Sequence, residues 1–389
     1  MNVRAHTVIS QSTESYRAGH DAAKELVEHL DGPPASVLTY LTVNHDRPAF
    51  LTGLRDGVGP DANILGCSVQ GVMGRGFASE RGYVAGVMGL AGVDAPIASV
   101  DQIAVDTGAK GRELGEILTQ DHTIPPRAVV LLYDPLTGAD MNEFLTALME
   151  VVDCPIIGGG AGHFYGPMTQ TFQFHQETVL TSSAVAVALY GDFGIEAAIS
   201  TGCAPVGIEM TVTRADGPML LELDGMSALD VWKEVAGSGN PDVDHTAALA
   251  LGVPFDDAGH TDEFLVRAAF GADDDLGGVV LQAAIPTGKR VMLHHRTVDV
   301  VLGGTRRMAD DLTARIGGKR VYGVLGFECG ARTEPFLGAD PALEENVELQ
   351  RTVAPEAPWL GMFAWGEVYT YGNTPTFNNY TYPLLVITE

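Results

Sequence analysis

The side chains best suited to chemistry sit where apolar runs break at glycine. The first break is Gly66-Cys67-Ser68-Val69-Gln70-Gly71 and the second is Gly158-Gly159-Gly160-Ala161-Gly162-His163. The third is Glu328-Cys329-Gly330-Ala331-Arg332, and the fourth is Gly366-Glu367, followed by Asn378, Asn379 and Thr381. Glycine lets the chain turn sharply and leaves N–H donors free to hold a carboxylate or carbonyl oxygen. Gly66, Gly71, Gly159 and Gly160 are the backbone candidates, with Ser68 and Gln70 adding side-chain bonds. Arg332 offers a planar fork for a carboxylate, and Glu367 an anchor for an amine or a general base. Asn378 and Asn379 would complete a polar pocket.

A second chemistry uses the same residues. Cys67 or Cys329 would be a nucleophile if its pKa were lowered, with Glu367 or His163 as base and glycine amides as the oxyanion site. The bland alternatives are packed turns, inert buried thiols, a surface histidine and an Arg332–Glu367 structural ion pair. The second break is not a dinucleotide fingerprint, because no acidic residue follows at the required spacing. No CxxC pair exists among Cys67, Cys154, Cys203 and Cys329, and strand alternation sends His294 and His295 to opposite faces. No metal site is therefore expected.

The elements that must position these residues follow from apolar periodicity. Residues 15–30 read as a helix, 36–43 as a buried strand, about 48–57 as a helix, and 63–67 and 83–91 as strands. The grammar recurs at 128–133, 141–152, 155–157 and 184–190, and again at 321–327, 343–351, 358–363 and 384–388. Cys154–Gly158 aligns with Ala357–Gly361, and Thr169–Phe172 with Thr374–Phe377, which points to an internal repeat. Residues 195–300 read as short β-rich runs, and the acidic stretch 241–275 as surface loops with a short helix. The expected fold is α/β, with repeated β-α-β-β units forming two halves, 1–194 and 195–389, around a cleft and a β-rich segment in the middle.

Composition narrows the partners. The chain has 389 residues, with 23 basic against 50 acidic side chains and a net charge of −27. That charge repels nucleic acid and anionic membranes. Scattered cysteines, no apolar run long enough to span a bilayer and no leader pattern make the cytoplasm the expected compartment. A homo-oligomer is compatible with the composition.

Taken in order, ILGCSVQG, PIIGGGAG, TQTFQF, VTRADG, LLELDGMSALDVW, FECGAR, GMFAWGEV and FNNYT resemble the FIST N-terminal and C-terminal domains over nearly the whole chain. The resemblance implies a sensory module that binds a small ligand, such as an amino acid, and acts through a separate signalling partner. Some stand-alone members look like haem-based nitric-oxide sensors, which would make His163 or His175 an axial ligand of a non-covalent haem. The chain departs from the family pattern at Asn378, where histidine is common, and at His163, where an acidic residue is common.

Overall fold

Each apolar run that is buried on both faces becomes a strand between a helix layer and a shared interior. The computed structural model describes residues 3–164, 168–236, 249–255 and 264–389. Strands Ser36–Thr42 and Asn63–Val69 pair in parallel, joined by the helix Arg47–Val58. Asp46 starts that helix by accepting from the Ala49 N–H, and Gly59 ends it at positive φ. Strands Ala128–Tyr133 and Ile156–Gly160 repeat the arrangement around the helix Met141–Val152. Strands Val321–Cys329 and Trp359–Ala364 repeat it around the helix Ala339–Val353.

The mixed α/β class holds, and the units number three, one per six-stranded sheet. In every sheet the parallel pair is flanked on one side by a unit's last and first strands, as in Ala85–Ala91 and Arg4–Ser10. On the other side it is flanked by a hairpin from a different unit. The first unit's hairpin, Val72–Gly74 with Phe77–Ser79, joins the third sheet. The second unit's hairpin, Gln173–His175 with Thr178–Leu180, joins the first sheet. The third unit's hairpin, Glu367–Tyr371 with Thr374–Asn378, joins the second sheet. The exchange is cyclic. Ile156 and Trp359 occupy the same place in their sheets. Thr169–Phe172 precedes a first hairpin strand, whereas Thr374–Phe377 lies in a second one, so that pairing of segments does not match the topology.

The inner faces of the three sheets share one apolar core, with Tyr40, Leu65 and Val69 from the first, Val130, Ile157 and Val187 from the second, and Phe327, Met362 and Leu385 from the third. Helix pairs cover the outer faces: Ser15–His29 with Arg47–Val58, Thr107–Thr119 with Met141–Val152, and Val298–Ile316 with Ala339–Val353. Gly19 and Gly53 bring the first pair together, since a Cβ on either would collide with backbone of the facing helix.

The β-rich middle is a seven-stranded sheet that closes on itself, because Ala204–Asp216 pairs both with Arg290–His295 and with Met219–Leu223. Its interior holds Val212, Leu251, Leu293 and Trp232. The acidic stretch was expected to be loops. Within it, Leu249–Pro254 and Phe264–Asp273 are instead paired barrel strands whose alternate residues fill that interior. Residues 241–248 and 256–263 of that stretch lie outside the described residues. Among the described residues, no helix is long and apolar enough to cross a membrane.

Candidate functional site

The glycine breaks converge at the end of the three sheets where the parallel strands finish. The Gly162 N–H donates to the Ser68 carbonyl at 2.8 Å, and the Trp365 N–H to the Gly160 carbonyl at 3.0 Å. The Phe363 N–H donates to the Gly71 carbonyl at 3.0 Å, and the Gly160 N–H to Gly366 at 2.9 Å. Glycine is required here by contact. A Cβ on Gly160 would strike the Trp365 carbonyl, and one on Gly162 the Gln70 amide. Of the expected backbone donors, the Gly160 N–H is taken up by Gly366, and these bonds tie the turns to one another.

The polar side chains extend the same closure. Ser68 is buried, donating to the Gly162 carbonyl at 2.8 Å and accepting from the Phe172 N–H at 3.0 Å. Gln70 donates to Glu80 at 2.6 Å and Gly330 at 3.1 Å, and accepts from the Trp365 indole at 2.9 Å. A Cβ on Gly66 would collide with the Thr39 carbonyl across the parallel pair, and one on Gly159 would press on Ala364.

Arg332 is fully buried, and its partners are not Glu367. It donates to Glu345 at 2.6 Å and Thr305 at 2.7 Å, and lies 3.5 Å from Glu328. Asn346 bonds the other Glu328 oxygen at 3.0 Å and accepts from Tyr382 at 2.7 Å. Burial, together with the nearby Glu345, drives the Glu328 carboxyl well above the usual carboxylate range, against the pull of Arg332. The fork expected to meet a ligand carboxylate is therefore filled by the protein's own acids.

Glu367 is also fully buried. One oxygen accepts from the Thr381 N–H at 3.1 Å and hydroxyl at 2.9 Å, and the other has no partner. Burial pushes this carboxyl up to about 8, although Thr381, Cys329 and Arg332 oppose the shift. Cys329 stands beside it, so this pair does come together. Burial and the Glu367 charge raise the Cys329 thiol far above its ordinary value. Cys67 lies in the central core against Met362, and burial raises its thiol in the same way. Neither thiol is placed to act as a nucleophile.

Asn378 faces Glu367 across the hairpin and donates to Thr376 at 2.8 Å. Asn379 bonds Gln282 and accepts from the Ala268 N–H at 3.0 Å, tying the barrel to the third unit. His163 follows Gly162 directly, its ring 4.1 Å from Phe164, with its pKa lowered by burial and then by Arg47. His175 bonds Ser99 at 2.9 Å. Neither histidine is among the residues lining the cavities of about 390 and 610 Å³.

The open space lies beside these turns, between the second unit and the barrel. A cavity of about 390 Å³ is lined by Tyr133, Asp134, Asp140, Asn142, Gln282 and Phe377, with Gly217 and Pro218 on the barrel side. It sits past the end of the strand Ala128–Tyr133 and at the start of the helix Met141–Val152, where ligands of such sheets bind. Tyr133 and Phe377 separate it from Glu367: the Tyr133 hydroxyl bonds the Gly366 carbonyl at 3.0 Å. Gly366 has φ 85°, and a Cβ there would strike both rings.

Asp134 is buried and occupied, accepting from Leu136 N–H at 3.0 Å, Thr171 at 2.8 Å and Ser182 N–H at 2.8 Å. Asp140 is exposed and caps the helix through one oxygen, with bonds of 3.0 and 3.4 Å to the Asn142 and Glu143 amides. Sequence reasoning missed these residues. The available signal was Asp134 directly after the apolar run AVVLLY, with a helix cap six positions on.

Arg267 is buried on the barrel side of this region. It donates to the Phe377 carbonyl at 2.5 Å and the Val266 carbonyl at 3.2 Å, and its Nε has no partner. Burial lowers its pKa to about 10, while Tyr371 and Asp140 act in the opposite direction.

Residues 35–226 match the FIST N domain and residues 228–370 match the FIST C domain. An uncharacterised protein of Mycobacterium bovis is 26% identical, with 92% of each chain covered. One of Mycobacterium tuberculosis is 26% identical over 92% of this chain and 93% of its own. T. maritima PurL complexed with ATP aligns at 10% identity over 99% of this chain and 71% of that one, with a TM-score of 0.21, too low to carry an argument.

Proposed function

Because the chain belongs to the FIST family, we propose that it is a small-ligand sensor whose binding site is the cavity between the second unit and the barrel. FIST domains are associated with signal transduction and small-ligand sensing. The observation that carries the reading is the pairing of Asp140, an exposed carboxylate with one oxygen left over from its cap, with a wall of Phe377, Tyr133 and Pro218. Such a site suits a molecule with a positively charged or hydrogen-bond-donating end and a modest apolar body. An amine-bearing, amino-acid-like ligand satisfies both. Arg267 stands near enough to Asp140 for their charges to interact.

A ligand here would touch the barrel and the second unit at once, and so bias their relative position. A cytoplasmic signalling partner would read that bias. We also read the three units as copies of one ancestral unit, supported by their common strand order, and take the strand Gly194–Ser200 as the start of the second domain.

The test is a thermal-shift screen of amines, amino acids and dipeptides, repeated on Asp140→Ser. Serine keeps the helix cap and removes the charge. Hits should lose about tenfold or more in affinity with the unliganded melting temperature unchanged. Hits that bind the variant equally well would place the site elsewhere.

A further inference from the structure

A second cluster lies on the outer face of the first sheet, at the end where the parallel strands begin. His6 is on the edge strand Arg4–Ser10, and Glu25 and His29 are one turn apart on the helix Ser15–His29. Their ligating atoms all lie within 4.8 Å of one another. We propose that His6, Glu25 and His29 form a divalent-metal site with two imidazoles and one carboxylate, suited to zinc.

The geometry supports this at two points. Residues four apart on a helix share a face, and His6 reaches the same face from the strand, with Nε2 3.4 Å from the Glu25 carboxylate. The His29 Nδ1 bonds the Glu25 main-chain carbonyl at 2.9 Å. That carbonyl can only accept, so in the neutral ring Nδ1 carries the proton and Nε2 the lone pair. Metal-binding histidines are commonly oriented by such a bond. The two rings stack in parallel with centroids 4.0 Å apart; a metal lies in the plane of each imidazole that binds it, so the His6 ring turns out of this stack when the ion is held.

Ligand–zinc distances of about 2.0–2.2 Å require the nitrogens and the carboxylate to close by roughly 1 Å, within the reach of side-chain rotation. Three protein ligands leave the fourth position for water or a small anion. His29 also lines a groove of about 610 Å³, together with Arg4, Arg320 and Tyr322, so a molecule in the groove could reach a metal held at its rim. This inference is independent of the ligand cavity.

The test is calorimetric titration of the chelator-treated full chain with Zn²⁺, together with Co²⁺ absorption spectra. One saturable equivalent is expected, with a Co²⁺ visible band of low-coordinate type. His6→Ala, Glu25→Gln and His29→Ala should each weaken binding by about 100-fold or more, since even indirect partners of metal ligands are worth 10–100-fold. His122→Ala, which removes a histidine bonded to Asp94, should bind as the parent does. Glu25→Gln is a mild change on an exposed helix face and keeps the test valid if a histidine variant folds poorly. Multiple weak equivalents, or a tight one untouched by the three variants, would overturn the site.

Discussion

The Trp365 indole N–H donates to the Gln70 side-chain carbonyl at 2.9 Å, joining the third unit's strand end to the first unit's. Gln70 is completely buried and also bonds Gly330 and Thr333. Gln70→Leu keeps the bulk and strands the Trp365 indole N–H, while the Gly330 carbonyl keeps its bond from the Thr333 hydroxyl at 2.9 Å. An expected loss of about 1–3 kcal/mol follows from leaving one donor unpaired. Urea unfolding with an unchanged slope would measure it. A loss below about 0.5 kcal/mol would mean the turns hold without this bond.

Arg332 was expected to hold a ligand and is instead enclosed with Glu328 and Glu345. Arg332→Met should destabilise the fold by about 3–5 kcal/mol, because it abandons buried acids without their counter-charge. A folded, equally stable variant that merely loses ligand binding would restore the pocket reading.

The pH dependence of stability has a definite sign. Glu367 is raised in the folded state to about 8, above its unfolded value near 4.3. The folded state therefore holds the proton more tightly. Its contribution is full below about pH 4 and is lost as pH rises through about 8. Glu328 shifts in the same direction. Glu367→Gln, which mimics the neutral acid, should be more stable than the parent at pH 8.5 by about 4–5 kcal/mol, and nearly equal to it at pH 4. Melting curves at the two pH values decide this, and a gain of the same size at both would refute the assignment.

The thiols supply a further check. Burial raises Cys154 to about 12 and Cys203 to about 11, and raises Cys67 and Cys329 further. A disulfide reagent should modify the half-buried Cys203 first. The other three should react only as fast as the chain unfolds. Rapid stoichiometric labelling of Cys329 in the native protein would contradict its placement.

Local periodicity was enough to read most elements around these residues. The helix Met141–Val152 and the strands at 36–42, 128–133 and 321–329 carry their pattern in the chain itself. The turns around Gly66, Gly158 and Gly366 were visible as glycine breaks, and their closeness to one another was not. Which turn meets which depends on three-residue hairpin strands such as Val72–Gly74, and a segment that short carries no record of the sheet it will join. The same limit hid Asp140. A cap residue looks alike in every helix, and the cavity beside it exists only because the barrel lies opposite. His6 and His29 were overlooked because 23 positions separate residues that the first strand and helix bring within ring-stacking distance.

The cyclic hairpin exchange bears on the order in which the chain is made. The sheet built from residues 97–189 receives its outer strands only from Glu367–Asn378. During synthesis its Ile156–Gly160 edge must stay unpaired until the hairpin Glu367–Asn378 has emerged. An exposed edge of this kind invites pairing with a neighbouring chain. Fragments ending before residue 367 are therefore expected to aggregate even though they contain every strand of two units, and the last hairpin acts as the step that seals the molecule against its own copies.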